Sequence, residues 1–254
     1  MHANDRERLI LAAIAPTGFV SYRDLEQRLD ASPATIRRDL ARLEAERRIV
    51  RVHGGARLPE ADGPRLLGTP FDQSITQNLD AKCAIGKAAA ALVEPGEGIM
   101  IDGGTTTLQM CPHLAGLDCQ VLTNSLHIVN ALLPQAGTRI LLPSGALFRE
   151  QNIILAPAGE DSMPRFHAPK LFMGAAAVGP QGVMQTDVIL VAAERRLINR
   201  ADQVILLVDA SKFTPQSGNI VCGLEEIDMI VTNAIPDAMA ETLRVAGVKV
   251  LITG

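Results

Sequence analysis

The sequence has 254 residues, of which 47% are hydrophobic and 20% charged, and its formal net charge at pH 7 is −4. This balance is typical of a folded globular protein and excludes a disordered chain. There is no run of 18 apolar residues and no apolar signal-peptide core near the start, so we expect a cytoplasmic protein without membrane association. The four cysteines form no CxxC pair, and we expect neither a metal nor another cofactor.

The charge is divided unevenly along the chain. Residues 1–57 contain 11 arginines and 8 acidic residues, a net charge of +3, whereas the remainder carries −7. Many of these arginines cluster late in the segment: Arg37, Arg38, Arg42, Arg47, Arg48, Arg51 and Arg57. A basic segment joined to an acidic body indicates an anionic partner for the basic segment alone.

Three helices are predicted within residues 1–57. The first covers residues 5–15, and the second covers residues 22–30 with Ser21 as its capping residue. The third begins after Ser32, which can cap it, and has Pro33 at the first helical position, where the missing N–H costs nothing. Its apolar residues recur at helical spacing and are expected to face a small core: Ile36, Leu40 and Leu43.

The first turns of the third helix leave Thr35, Arg37 and Arg38 facing outward. Because a short turn, LDAS, separates this helix from the second, the pattern indicates a helix-turn-helix, whose second helix enters the major groove. The stretch RIVRVHGGA then predicts a two-stranded wing, with Arg51 and His53 beside the phosphate backbone. The alternative is a helical bundle whose arginines form a solvated face. The ordered combination of caps, arginines and wing favours DNA binding.

The stretch SPATIRRDLARLE followed by RIVRVHGGA resembles the DNA-binding half of the DeoR/GlpR family of bacterial transcription regulators. The family often carries Gly at the position of Arg47. The resemblance implies that Thr35 and Arg37 contact base edges and that Arg38 contacts a phosphate, whereas Asp39 orients an arginine. The residues assigned to DNA are Ser32, Thr35, Arg37, Arg38, Arg42, Arg51 and His53.

The remainder of the chain is interpreted as a linker over residues 58–79, with one ordered contact through Phe71, and a domain over residues 80–254. Seven mostly apolar runs predict strands: 98–102, 120–125, 139–145, 170–176, 203–209, 228–233 and 249–253. Helical patterns lie before or between them: 80–93, 105–115, 125–134, 188–201 and 236–247. This alternation predicts a doubly wound α/β fold, in which ligands bind at the carboxyl ends of the strands.

Small polar and charged residues follow several of the predicted strands. The stretch IDGGTTT places Asp102, two glycines and three threonines between a strand and a predicted helix, an arrangement suited to a phosphomonoester or a carboxylate. It is neither GxGxxG nor a P-loop, so a dinucleotide and ATP are not indicated. Asn124, Gly145 and Lys212 follow other strands and are expected at the same edge of the sheet.

The stretches DGGTT, TN and DASKF resemble the effector domain of the same family, which is similar to sugar-phosphate isomerases and coenzyme A transferases. The segment GVMQTDVILVAAERRLI resembles the branch that contains the L-ascorbate-utilisation repressor. Two departures from the common family pattern are Ser144 in place of Gly and Leu190 in place of Glu. The resemblance implies a pocket for a phosphorylated sugar or sugar acid, with these residues at or near it: Lys82, Asp102, Gly103, Gly104, Thr105, Thr106, Thr107, Asn124, Gly145, Asp187, Glu194 and Lys212.

Together these patterns predict a repressor of a carbohydrate-utilisation operon that a phosphorylated sugar or sugar acid releases from operator DNA. One small DNA-binding unit makes few contacts, so we expect a homodimer or tetramer. The alternative is a sugar-phosphate isomerase-like enzyme with an accessory DNA-binding head. The sequence has no nucleophile elbow, His–carboxylate pairing or metal cluster, so the regulator is favoured and no catalytic or metal-binding residue is assigned.

Overall fold

The computed structural model describes residues 3–14, 19–29, 31–46, 48–52, 55–57, 71–149, 151–155, 163–214 and 218–254. The chain folds into two compact units, Met1–Gly63 and Pro64–Gly254. Among the helices in the described ranges, none has the length and apolar character that a membrane span requires.

The first unit is a winged helix-turn-helix. Its elements in chain order are α1 (Ala3–Ile14), β1 (Phe19–Ser21), α2 (Tyr22–Arg28), α3 (Pro33–Ala45), β2 (Val50–Val52) and β3 (Gly55–Arg57). The wing strands β2 and β3 pair antiparallel as predicted, and β1 adds a third strand in the order β1-β3-β2. Ser21 ends β1 and directly precedes α2, but its side chain lies outside the described part of the structure, so its capping of α2 stays a prediction.

The start of α3 follows the capping pattern read from the sequence. The hydroxyl oxygen of Ser32 accepts a hydrogen bond from the backbone N–H of Thr35 at 3.3 Å, and Pro33 occupies the first turn. One face of α3 is buried in the small apolar core of this unit: Ile10, Val20, Leu25, Leu29, Ile36, Leu40, Leu43, Ile49 and Ala56. The opposite face of the helix is therefore left at the surface.

The second unit is an α/β fold. Its helices are α4 (Phe71–Ser74), α5 (Leu79–Ala90), α6 (Leu126–Leu132), α7 (Val188–Ile198) and α8 (Asp237–Val245). Its strands are β4 (Gly98–Ile101), β5 (Gln120–Leu122), β6 (Arg139–Leu141), β7 (Ala146–Phe148), β8 (Ile153–Leu155), β9 (Ala168–Met173), β10 (Ala177–Gly179), β11 (Gly182–Gln185), β12 (Ala201–Leu207), β13 (Asn219–Cys222), β14 (Met229–Thr232) and β15 (Lys249–Ile252).

A seven-stranded parallel sheet forms the centre of this unit. Its order is β15-β14-β12-β9-β4-β5-β6, and its seven strands are those predicted from the apolar runs. Alternate side chains enter different apolar clusters: Ile99 and Ile101 of β4 pack in one, and Met100 packs in the other. This period of two shows that both faces of the sheet are covered.

The strand order reverses between β4 and β9, which are adjacent in the sheet although far apart in the chain. Successive strands build outward from β4 through β5 to β6, and from β9 through β12 to β14 and β15. In open α/β sheets, the crevice beyond the carboxyl ends of the strands at such a reversal is the usual place for a ligand.

Two antiparallel sheets that are separate from the central sheet were not predicted. β7 pairs with β8, and β10, β11 and β13 form a three-stranded sheet. The helix predicted over 105–115 is also different, since the segment Thr107–His113 is a 3-10 helix. Pro112 lies inside this segment, lacks an N–H group and disfavours an α-helix there.

Candidate functional site

Two exposed arginines mark the outer surface of α3. Arg37 and Arg38 are both exposed, and within the described residues neither makes an ion pair. The hydroxyl groups of Ser32 and Thr35 lie 2.9 Å apart at the beginning of the helix, where both help to shape its first turn. The basic surface near the start of α3 therefore has guanidinium groups available to an anionic partner.

Three other arginines hold the first unit together. Arg6 of α1 donates from Nε to Asp39 Oδ2 at 2.6 Å, and Arg42 donates from Nη2 to Glu7 Oε2 at 2.9 Å. Arg48 also donates to the Glu7 carboxylate. Arg42, which was assigned to DNA, thus tethers α3 to α1.

Two residues assigned to DNA cannot be placed in this surface. Arg51 lies in β2, but its side chain is outside the described part of the structure, as is the whole of His53. Their predicted contact with the phosphate backbone stays a prediction.

A cavity of about 320 Å³ lies at the strand reversal of the second unit. Asp102 directly follows β4, the three residues 174–176 directly follow β9, and all of them line the cavity. Eight of the twelve predicted effector residues line it: Asp102, Gly103, Gly104, Thr105, Thr106, Asn124, Glu194 and Lys212. The structure thus brings together residues that are spread over more than 100 positions of the chain.

The glycine-threonine loop, residues 103–106, forms one wall of the cavity. A Cβ atom on Gly103 would lie 2.8 Å from Ile153 Cγ2, so the close approach of these segments requires glycine. Within the described part of the chain, the amide groups of Gly104, Thr105 and Thr106 donate to no backbone carbonyl. Free amide and hydroxyl donors in a concave loop are suited to an anion.

Thr107 supports this loop from behind. Its hydroxyl donates to the carbonyl oxygens of Asp102 and Gly104 at 2.8 and 3.0 Å, and its side chain is fully buried. Thr107 therefore shapes the loop, and it is not among the residues that line the cavity.

Two buried carboxyl groups line the cavity. Asp102 and Glu194 are each 4% exposed. Burial raises the pKa of Asp102 to about 7, although the backbone of Gly103 and the amide of Asn124 oppose the rise. Burial and the charge of Asp102 raise the pKa of Glu194, against a hydrogen bond donated by Gln185. Each carboxyl group thus disfavours ionisation of the other.

The two predicted lysines have different positions. Lys212 lines the cavity and is its one cationic lining residue in the described part of the chain. Lys82 is buried and donates from Nζ to the backbone oxygen of Ser74 at 2.5 Å, outside the cavity lining. Burial lowers the pKa of Lys82, while the charge of Asp209 opposes this and that of Lys212 adds to it.

The remaining two predicted effector residues do not line the cavity. Asp187 caps α7, where its Oδ1 accepts a hydrogen bond from the backbone N–H of Ile189 at 2.9 Å. Gly145 is exposed in the loop between β6 and β7. A residue near a strand end need not face the crevice. Sequence position alone therefore did not distinguish Asp187 and Gly145 from the residues that line the cavity.

Part of the cavity comes from residues that were not predicted as ligands. Phe71 and Ser74 of α4 both line it, although they belong to the segment interpreted as a linker. The ring of Phe71 stacks on His127 with centroids 3.8 Å apart, and Ser74 Oγ lies 3.5 Å from Thr105 Oγ1. Only the isolated aromatic Phe71 in a proline-containing stretch indicated an ordered contact here.

A winged helix-turn-helix unit followed by a parallel α/β unit with a polar cavity defines the class of helix-turn-helix transcription regulators. Comparison with known families agrees: residues 6–62 match the DeoR-like helix-turn-helix domain, and residues 77–234 match the DeoR C terminal sensor domain. The chain belongs to the DeoR family.

Curated relatives cover nearly the whole chain. The HTH-type transcriptional regulator UlaR of Shigella dysenteriae serotype 1 (strain Sd197) is 32% identical over 249 residues, which span 97% of this chain and 97% of the relative. UlaR of Escherichia coli shows the same identity and coverage. A solved structure of ribose 5-phosphate isomerase A from Methanocaldococcus jannaschii covers 54% of this chain and 56% of its own, with a TM-score of 0.40 and 17% identity.

The family models and the UlaR relatives confirm the family predicted from the sequence, and the winged helix-turn-helix and parallel sheet described above confirm the predicted fold class. They also confirm a DNA-binding transcription regulator in preference to the isomerase-like enzyme, because the relatives are named transcriptional regulators and the helix-turn-helix domain matches the family model.

Proposed function

We propose that this protein is a cytoplasmic repressor of a carbohydrate-utilisation operon, and that a phosphorylated sugar or sugar acid releases it from operator DNA. Residues 1–57 bind the DNA, residues 80–254 bind the effector, and residues 58–79 connect them. Within the connecting segment, Phe71 and Ser74 contribute to the effector cavity.

One observation carries the effector proposal: a loop rich in free amide donors and a lysine line the same cavity at the strand reversal. The amide groups of Gly104, Thr105 and Thr106 donate to no backbone carbonyl among the described residues, and Lys212 supplies a positive charge. Charge-assisted hydrogen bonds of this kind are the usual means of binding a phosphate group.

For DNA we propose that Thr35 and Arg37 contact base edges and that Arg38 contacts a phosphate. Arg37 and Arg38 are exposed, whereas Arg42 is held by Glu7 and positions α3. Ser32 also positions α3, because its hydroxyl oxygen caps the helix. Since Ser32 is exposed, we propose that its hydroxyl contacts a phosphate as well. A homodimer or tetramer that engages repeated half-sites would supply the affinity that one small unit lacks.

Regulation requires that the effector bind more tightly to the arrangement that cannot engage DNA than to the arrangement that can. The test uses the full-length protein and a duplex selected by it from a random-sequence pool. Sugar phosphates of four to six carbons are first screened by thermal shift, because a ligand that binds the folded state raises the melting temperature. We expect one of them to raise it and to release the duplex. A screen in which none of these compounds stabilises the protein would contradict the proposal.

A further inference from the structure

Two buried polar side chains that line the cavity, Asn124 and Glu194, have polar atoms without a hydrogen-bond partner among the described residues. Asn124 is 1% exposed, and neither polar atom of its side-chain amide has a partner within hydrogen-bond geometry among the described residues. The amide nevertheless lies close enough to Asp102 to lower the pKa of that carboxyl group. Glu194 Oε1 accepts a hydrogen bond from Gln185, but Oε2 has no partner there. Buried polar atoms without partners are costly, so a ligand that supplied donors here would recover that free energy.

The charged groups around these side chains are few. Asp102 lies at the end of β4, Glu194 lies on α7, and Lys212 is the one other charged residue that lines the described cavity. Behind the lining, the charge of Asp209 after β12 opposes the lowering of the Lys82 pKa by burial. We define the acceptor subsite as Asp102, Asn124 and Glu194.

We propose that the acceptor subsite binds uncharged hydroxyl groups of the effector and excludes a carboxylate, so that the effector is a phosphorylated sugar or polyol and not a phosphorylated sugar acid. This inference rests on the proposed function, because it takes the loop of residues 103–106 and Lys212 as the phosphate site. The choice between sugar and sugar acid was left open by the sequence.

The physical reason is charge repulsion in a buried place. The two carboxyl groups titrate as a coupled pair, and above the pKa of Asp102, which is about 7, the subsite carries negative charge. A hydroxyl group can donate to Glu194 Oε2 and exchange hydrogen bonds with the Asn124 amide. A ligand carboxylate has no proton to donate and would add a third acidic group, and a like-charge contact of this kind costs several kcal/mol.

The test compares ligands that differ only at this end. Calorimetric titration of the full-length protein at pH 8 uses three alditol phosphates with their matching aldonate phosphates: erythritol 4-phosphate with 4-phosphoerythronate, ribitol 5-phosphate with 5-phosphoribonate, and glucitol 6-phosphate with 6-phosphogluconate. Within each pair the phosphate and the carbon number are the same. We expect the alditol phosphate of at least one pair to bind at least about tenfold more tightly than its partner.

Two further arms attribute this preference to the acceptor subsite. The double variant Asp102→Asn/Glu194→Gln removes both acidic groups of the subsite and keeps an acceptor for the Gln185 hydrogen bond, and it should bring the ratio within a pair to less than about threefold. The matched control, Glu225→Gln, changes an exposed acid away from this cavity and should keep the ratio of the parent. Lowering the pH of the parent from 8 to 6 protonates the subsite further, so the ratio should fall, and this arm needs no variant.

The outcomes separate the two proposals. Absence of this preference from every pair, or a ratio that neither the double variant nor lower pH reduces, would overturn the acceptor subsite while leaving a phosphorylated effector in place. Failure of every phosphorylated compound to bind would contradict both the subsite and the proposed function.

Discussion

The Asp39 carboxylate of α3 accepts two hydrogen bonds from Arg6 of α1, with Nε to Oδ2 at 2.6 Å and Nη2 to Oδ1 at 3.3 Å. Asp39 follows directly after Arg37 and Arg38, which are exposed on the same helix. The ion pair therefore fixes α3 from the inner side of the residues proposed to contact DNA. Arg6 thus maintains the fold of this unit, whereas Arg37 and Arg38 are available to a ligand.

The first prediction concerns the exposed arginines. Arg37→Ala should weaken operator binding by about 1–3 kcal/mol, the usual cost of losing a base contact, and should leave the melting temperature unchanged. Fluorescence anisotropy with a labelled operator duplex measures the affinity. Arg244→Ala, which removes the same charge from an exposed site in the second unit, is the control. Equal operator affinity of Arg37→Ala and the parent would remove Arg37 from the interface.

The second prediction concerns the cationic lining residue of the cavity. Lys212→Ala should weaken binding of a phosphorylated effector by about 1.5–3 kcal/mol, the range for hydrogen bonds to charged groups, and should keep operator affinity without effector. Titration of the operator complex with effector measures the concentration that releases half of the DNA. Lys87→Ala, an exposed lysine of α5, is the control. An unchanged half-release concentration would show that Lys212 does not contact the effector.

Sequence patterns predicted the central sheet because strands buried on both faces are continuous apolar runs, and all seven were found. They also predicted the start of α3, since a Ser-Pro cap acts within one helical turn. The strands β7, β8, β10, β11 and β13 were missed. Their pairing depends on tertiary context.

The sequence predicted those residues of the candidate site that directly follow a strand. Asp102 and the glycines after it are examples, since their place follows from β4. The sequence indicated an ordered contact at Phe71 but assigned neither Phe71 nor Ser74 to the cavity, because a four-residue helix beside a proline has no pattern of its own. It also could not show that Arg42 pairs with Glu7, 35 residues away in the chain. Long-range ion pairs are visible only after folding.

A third prediction follows from the buried carboxyl groups. Asp102 has a pKa of about 7 in the folded protein, well above its ordinary value of 3.8, so the folded state holds a proton that the unfolded state has released. The free energy of unfolding should therefore fall as the pH rises from about 4 to about 7, by up to about 1.4 kcal/mol per pH unit for one group, and this contribution should be constant above that range.

Urea denaturation of the parent and of Asp102→Asn between pH 5 and pH 8 measures this effect as a difference. The free energy of the parent minus that of the variant should decrease with pH up to about 7, because the amide does not titrate. A difference that is independent of pH over this range would show that Asp102 is ionised in the folded protein.

The fourth prediction concerns the close approach at Gly103. Gly103→Ala would place a Cβ 2.8 Å from Ile153 Cγ2 and 3.3 Å from Ser125 Cβ, so Ile153 or the loop of residues 103–106 must shift. We expect a loss of about 1–3 kcal/mol in stability, as for other overpacked sites, together with weaker effector binding. Gly174→Ala is the matched control for stability, since a Cβ there meets nothing within 4 Å. Equal melting temperatures of the two variants would contradict the tight packing of this loop.

The central claim is that binding of a phosphorylated sugar in the second unit releases DNA from the first. Its most direct test is the anisotropy of a labelled operator duplex bound to the full-length protein, titrated with a sugar phosphate that raises the melting temperature. The account predicts complete release at saturating ligand, and a half-release concentration that is about tenfold or more higher for the Lys212→Ala protein. Saturation of the protein with this ligand while the duplex stays bound at its original affinity would contradict it.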